Sequence, residues 1–194
     1  MKLVVATDVM NGSIHQFFAD SLDGIIVRRQ IELSEPGKLY IVKLLTEFAG
    51  DRQAQEKIDE PLAYRMIDAL NASGGEKVRK LKDLGDVSLY VSGYFSESLK
   101  RSLIDVDYYA EMGRTAYGHL VKIFDTTAAA CFREIYEELT FKFLVLVKML
   151  NELSDRFHAS SDRDLLKLYE KWLETRDPAL ADILREKGLI VAAS

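Results

Sequence analysis

Cysteine and proline are both scarce in this chain, and their scarcity sets the first limits. Cys131 is the only cysteine, so no intramolecular disulfide can form. The pattern is not that of a stapled secreted domain, and a reducing compartment suits it. The three prolines, Pro36, Pro61 and Pro178, sit between periodic stretches where helices are expected to begin. Proline lacks the N–H that an interior turn would need. Long apolar runs are missing as well. Phe141 to Leu150 is the longest, and it carries Lys142 and Lys148. Spanning a bilayer takes about 20 apolar residues, so this run reads as a buried core helix and no membrane partner is expected. The opening Met1-Lys2-Leu3-Val4-Val5-Ala6 reaches Asp8 before an apolar signal region completes. No export signal is therefore expected, and the expected location is cytoplasmic.

Excess positive charge is also missing. The 26 basic and 31 acidic side chains leave a net charge of −5, whereas nucleic-acid binding needs clustered cations to neutralise phosphates. Lys77, Arg79, Lys80 and Lys82 form the nearest cluster, but Glu76 and Asp83 bracket it. It reads as a solvated helix start, with no nucleic-acid partner expected.

Several chemistries lack their residues. A carboxylate-bridged di-iron bundle needs Glu-x-x-His on each of two helices, because that spacing aims both ligands at one metal. Here Glu111 is followed three residues on by Arg114, Glu134 by Glu137, and Glu137 by Thr140. The three histidines, His15, His119 and His158, lie far apart, so a zinc site is poorly supported too. His119 is the one candidate for haem, without an attachment motif, and a structural histidine is the plainer reading. Nucleophile elbows, dinucleotide fingerprints and phosphate loops are all absent. Gly74-Gly75 precedes a helix, where free N–H groups favour anions, but one glycine pair carries little specificity. No metal and no cofactor are expected. Cys131, beside Phe132, reads as a small core residue.

What the chain does contain is helical periodicity. Its 194 residues, 48% hydrophobic and 29% charged, fit one domain over 1–194, or one domain with a small appendage. The expected fold class is all-α: a single-domain bundle of about six or seven helices around a long central helix at about 127–157. Residues 13–30 carry apolar steps of three and four, although Ile25-Ile26-Val27 leaves the second half open to an extended form. Ser34-Glu35-Pro36 reads as the start of a helix to Ala49, with Leu39, Val42, Leu45, Phe48 and Ala49 inward. A short helix follows from Pro61 to about Leu70, and Asn71 to Gly75 is a break. The next spans 76–103, with a kink plausible at Gly93. On it, Gly85, Ser88, Ser92 and Ser96 form a small-residue face that permits close approach.

After a cap at Asp105 or Asp107, a helix to Phe124 turns Tyr109, Met112, Gly113, Ala116, Leu120, Ile123 and Phe124 inward. In the long helix, Phe132, Ile135, Leu139, Phe143, Leu146, Leu150 and Leu153 form one stripe. Phe141, Leu144 and Val145 point the other way, as in a helix at a bundle centre or in an oligomer interface. Two short helices close the chain, from Ser161-Asp162 to near Glu174 and from Asp177-Pro178 to Gly188.

The densest set of polar and aromatic side chains falls between residues 86 and 119. Asp86, Tyr90 and Tyr94 lie in line at four-residue steps, and Tyr108, Glu111, Thr115 and His119 share a flank of the following helix. If these two helices are antiparallel neighbours, the seven converge on one cleft, and they are the candidate ligand-binding residues. The segment from Leu84 to Phe95, with Asp107 to Tyr109 and Gly113 to Tyr117, resembles a family of small all-α bacterial proteins with no assigned activity. The resemblance implies a bacterial cytoplasmic source and brings no functional residues with it. The expected function is non-catalytic: a cytoplasmic protein that binds a protein partner, itself included, or a small molecule. A homodimer is the expected assembly, since two-fold dimers are the commonest outcome. The alternative is an enzyme or ligand sensor with its pocket between helices 86–96 and 108–119.

Overall fold

The computed structural model describes residues 2–50, 60–94, 106–125, 129–159 and 162–189. The expected all-α class is what it shows. Nine helices are present among the described residues, without a strand. They are α1 (Lys2–Arg29), α2 (Glu35–Gly50), α3 (Leu62–Asn71), α4 (Gly74–Tyr94), α5 (Val106–Ile123), α6 (Ala130–Phe141), α7 (Phe143–His158), α8 (Asp162–Thr175) and α9 (Pro178–Glu186).

Local chemistry accounts for the ends. Helix α1 stays helical through Ile25-Ile26-Val27 and ends at Gln30, whose φ of 52° is left-handed. The Ile31 N–H then bonds back to the Ile26 carbonyl at 3.0 Å, a Schellman closure. The Ser34 hydroxyl accepts the Gly37 N–H at 3.0 Å and so caps α2. Asp177 accepts the Ala179 N–H at 2.8 Å, with Pro178 opening α9. The expected break holds: α3 ends at Asn71, and α4 starts at Gly74, whose φ is +56°.

Helix α4 occupies the centre. Every residue from Leu84 to Gly93 is buried, because α5, α7, α3 and α2 all pack on it. The small residues make this possible. A side chain at Gly85 would strike the Tyr117 ring of α5, and one at Gly113 would strike Phe143 and the Ser88 Cβ. Gly93 faces Leu150 of α7, 2.6 Å from where a Cβ would stand, and the described helix ends one residue beyond it, at Tyr94. The Ser88 and Ser92 hydroxyls donate to the Leu84 and Ser88 carbonyls, each at 2.7 Å, so burial leaves neither unsatisfied. Ser96 and the segment up to 103 lie outside the described residues, as does Asp105.

The segment expected as one long helix is two, divided at Lys142. There ψ is 9°, far from the helical value of about −42°. The Lys142 ammonium is tied to the Glu32 carbonyl at 2.7 Å and to Glu138 Oε1 at 2.9 Å. Glu138 also accepts the Ser34 N–H and hydroxyl. The bend is thereby pinned to the α1–α2 connection. It lets Phe143 bury completely while Phe141 stays 79% exposed.

Five inward assignments differ. On α2, Leu39 is 56% exposed and Ala49 is exposed, while Ile41, Val42, Leu44 and Leu45 are buried. Helix α1 covers one side of α2, and α6 and α4 cover the other, so adjacent positions bury. Ile123, in the last turn of α5, is also exposed. Cys131 and Phe132 are exposed too, because the first turn of α6 stands at the rim with Phe124 as its aromatic neighbour.

Helices α8 and α9 bury a second apolar cluster of their own, built on Leu168, Trp172, Leu180, Ile183 and Leu184. Charges join it to the bundle. Arg29 reaches Asp182 at 3.2 Å, Arg156 reaches Glu186 at 2.6 Å, and Lys171 meets Asp155 at 2.9 Å. Among the described residues no helix is long and apolar enough to cross a membrane.

Candidate functional site

A four-residue step on α4 builds the polar centre of the molecule. Lys82 and Asp86 are i, i+4 neighbours, and the ammonium donates to Asp86 Oδ2 at 2.5 Å. Asp86 is buried, and its other oxygen accepts two phenols. The Tyr40 hydroxyl of α2 donates to Oδ1 at 2.5 Å and the Tyr117 hydroxyl of α5 at 2.8 Å. A buried carboxylate persists only when such partners replace water. Tyr136 of α6 completes the ring cluster, 5.9 Å from Tyr40 and 5.8 Å from Tyr117.

The electrostatics follow from burial. Desolvation raises the Asp86 carboxyl above its ordinary value, against the opposing pull of Lys82, Tyr40 and Tyr117. Burial alone would lower Lys82, but the Asp86 charge and hydrogen bond hold its ammonium above the usual lysine value. Tyr40 and Tyr117 are pushed well above the tyrosine range, first by burial and then by neighbouring acidic groups. At neutral pH the phenols are donors and the ammonium is a fixed cation.

Beside this cluster a cleft of about 170 Å³ opens between α2 and α6. Tyr40, Lys43, Leu44 and Glu47 of α2 line it with Phe132, Ile135 and Tyr136 of α6, and Lys82 of α4 is also in the lining. The Lys82 side chain is 34% exposed. Its ammonium also sits 5.4 Å from the Tyr40 ring centroid.

The seven residues expected to converge fall in separate places. Asp86 is in the cluster just described. Tyr90 and Tyr94 continue the stripe along α4, and Phe48 of α2 lies over Tyr90. Tyr90 stacks on Phe48 at 4.2 Å and on Tyr94 at 5.4 Å. Burial, then Tyr94, raises its hydroxyl to about 12. Tyr108 meets Tyr109 edge-on at 5.9 Å. Glu111 and Thr115 are exposed and line a shallow surface hollow with Asp107, Arg114, Thr140 and Leu144. His119 is half-buried; desolvation, then Lys122 and Lys77, lowers its imidazole. The α4–α5 seam, where the pocket was expected, is closed by Tyr117 over Gly85 and by Ser88 against Gly113. Tyr40, Lys82, Tyr117 and Tyr136 were not among the candidates. One signal was available, the Lys82–Asp86 spacing; the three tyrosines from other helices carried none.

A larger cavity of about 580 Å³ lies where α8 and α9 meet α1 and α7. Its buried charged groups are committed to each other. Glu152 accepts from Arg29 Nε at 2.9 Å, and Arg156 Nε donates to it at 3.0 Å. Lys171 bonds both Asp155 oxygens. It reads as a joint between the two apolar clusters. Among the described residues no group of three or more His, Cys, Asp or Glu side chains is placed to hold a metal ion. No family model, curated protein or solved structure matches the chain, so function is argued from geometry.

Proposed function

We propose that the chain is a non-catalytic cytoplasmic binding protein that takes up a small molecule in the cleft beside Lys82. The observation that carries this reading is a concave aromatic cleft with Lys82, whose ammonium is held by Asp86, in its lining. Small-molecule sites combine apolar walls with a few fixed polar groups in this way. Tyr40 and Tyr117 act as hydrogen-bond donors to Asp86, and Lys82 stays charged, so the site recognises and does not react. A panel of single-ring compounds tests it. Some should shift the NMR signals of Leu44 and Ile135 and be recovered unchanged, and Ile135→Trp, which fills the cleft, should abolish those shifts. A panel that never perturbs Leu44 or Ile135, or a compound that is chemically converted, would sink the proposal.

Self-association is a second reading, favoured by one observation. Phe141, Leu144 and Val145 are 79%, 49% and 42% exposed around the α6–α7 bend, and grouped apolar exposure marks interaction surfaces. A homodimer joined there is the expected assembly. Sedimentation at tens of micromolar should give a dimer that Phe141→Glu converts to monomer, and a wild-type monomer would remove the reading.

A further inference from the structure

We infer that the cleft beside Lys82 takes a small monocarboxylate with a flat apolar body, its carboxylate on the Lys82 ammonium. This rests on the binding reading above and adds the ligand class. Lysine carries three N–H donors, and Asp86 is the one hydrogen-bond partner of Lys82 among the described residues. The remaining donors belong to a side chain that lines the cleft and is a third exposed. An acceptor in the cleft meets an ammonium already positioned, so little ordering is required when it binds.

Charge selects the acceptor. The lining contributes Lys82, Lys43 and Glu47, two cations and one anion. Lys43 is mostly exposed and only loosely paired with Glu47, at 3.7 Å. It is free to turn toward an incoming anion. Asp86 already balances Lys82, so a single negative charge, shared between the spare Lys82 donors and a turned Lys43, is the most the site accommodates; a dianion would crowd Glu47 and the buried Asp86. A ligand cation is disfavoured, because the Lys82 ammonium already occupies the face of Tyr40.

Shape selects the rest. Tyr40, Tyr136 and Phe132 with Leu44 and Ile135 form the apolar walls. The 170 Å³ available lies below the ~300–1,000 Å³ of sites for drug-sized ligands. One ring with one carboxylate fits that description.

The test titrates the full chain with benzoate, benzyl alcohol and acetate, following Leu44 and Ile135 by NMR. Benzoate should bind in the millimolar range at least fivefold more tightly than benzyl alcohol, since a charge-assisted bond exceeds a neutral one. Acetate, lacking the ring, should bind more weakly than either. Lys82→Gln should remove the preference for benzoate while benzyl alcohol still binds. If that variant does not fold, the wild-type ratio alone decides. Equal affinity for benzoate and benzyl alcohol at Leu44 and Ile135 overturns the ligand class and leaves the cleft reading standing. Shifts confined to the cavity near Val145 and Met149, or no shift at all, overturn this inference. If the wider panel is also silent at Leu44 and Ile135, the binding reading falls with it.

Discussion

Asp86 and Glu152 are both carboxylates buried within a helical interior, 4% and 5% exposed, yet they are held in opposite ways. Asp86 takes one cation and two neutral phenols, supplied by α4, α2 and α5. Glu152 takes charged donors: Arg29 and Arg156 through hydrogen bonds, and Arg28 at 3.7 Å. The arginines remain partly exposed and reach outward to Asp182 and Glu186. The first arrangement pairs one cation with one anion, meets the cleft only through Lys82, and ties three bundle helices together. The second is an open chain of charges reaching solvent, and it ties the C-terminal cluster to the bundle. Burial of a carboxylate alone therefore says little about its role. What its donors are, and whether they reach water, determines whether it acts as a core lock or a surface joint.

Asp86→Ala should be the most damaging change, because it leaves the buried Tyr117 phenol and the Tyr40 phenol without their acceptor and the part-exposed Lys82 ammonium without its counter-charge. Removing one partner of a buried pair costs about 3–5 kcal/mol, read as a loss of unfolding free energy in urea. Asp86→Asn, which keeps an acceptor for Tyr40 and Tyr117, should cost less. If both fall below about 1 kcal/mol, the cluster is not a lock.

Next comes Gly85→Ala, which attacks the same cluster through the Tyr117 ring. Alanine favours helix by about 1 kcal/mol over glycine, but displacing Tyr117 overpacks the seam at about 1–3 kcal/mol. The expected sign is net destabilisation; a stabilised variant would show that the ring moves aside freely. Ser92→Leu should lose stability by the same mechanism, at a residue with no exposed surface.

Glu152→Gln should cost less, about 1–2 kcal/mol, since its arginines can turn to water. The loss should appear first in the fluorescence of Trp172, the only tryptophan, which lies in the C-terminal cluster. Salt should weaken the same signal in the wild type, because partly exposed charges are screened. If salt instead weakens the Asp86 cluster equally, the contrast between the two carboxylates fails.

The smallest effects are those of pH, and they carry opposite signs. The Asp86 carboxyl is raised in the fold, so its contribution is full below the unfolded value and is lost as pH rises through the folded one. Glu138 is lowered by Ser34 and Lys142, which outweigh its desolvation. Its contribution is present above the unfolded value and lost as pH falls through the folded one. His119 is lowered as well, so stability should begin to fall as pH drops through the ordinary histidine range. His119→Gln should flatten that slope in a series of thermal midpoints, and an unchanged slope would show that another group titrates there.

Much of the fold was legible because helices are local. Three- and four-residue apolar steps, Ser34, Asp177 and the prolines mark helix starts through bonds within one turn. The class, the break before Gly74 and the close packing of Gly85, Ser88 and Gly113 were therefore readable from spacing. Single-helix periodicity also reached the edge of the site, since Asp86, Tyr90 and Tyr94 do share a stripe. It could not say which helix faces that stripe. The expected partner was the flank of α5 bearing Glu111 and His119; in the fold Asp86 meets Tyr40 of α2 and Tyr117 of α5, and Tyr90 meets Phe48 of α2. The bend at Lys142 was hidden for the same reason: the groups that hold its side chain, Glu32 and Glu138, include one that is distant in sequence. The sequence by itself determined the helices and their small-residue contacts, because these are set by backbone bonding and side-chain size within a few residues. Tertiary structure alone decided that Tyr40 and Tyr117 meet at Asp86 and that a cleft opens over Lys82. Those contacts exist only once helices far apart in the chain exclude water together.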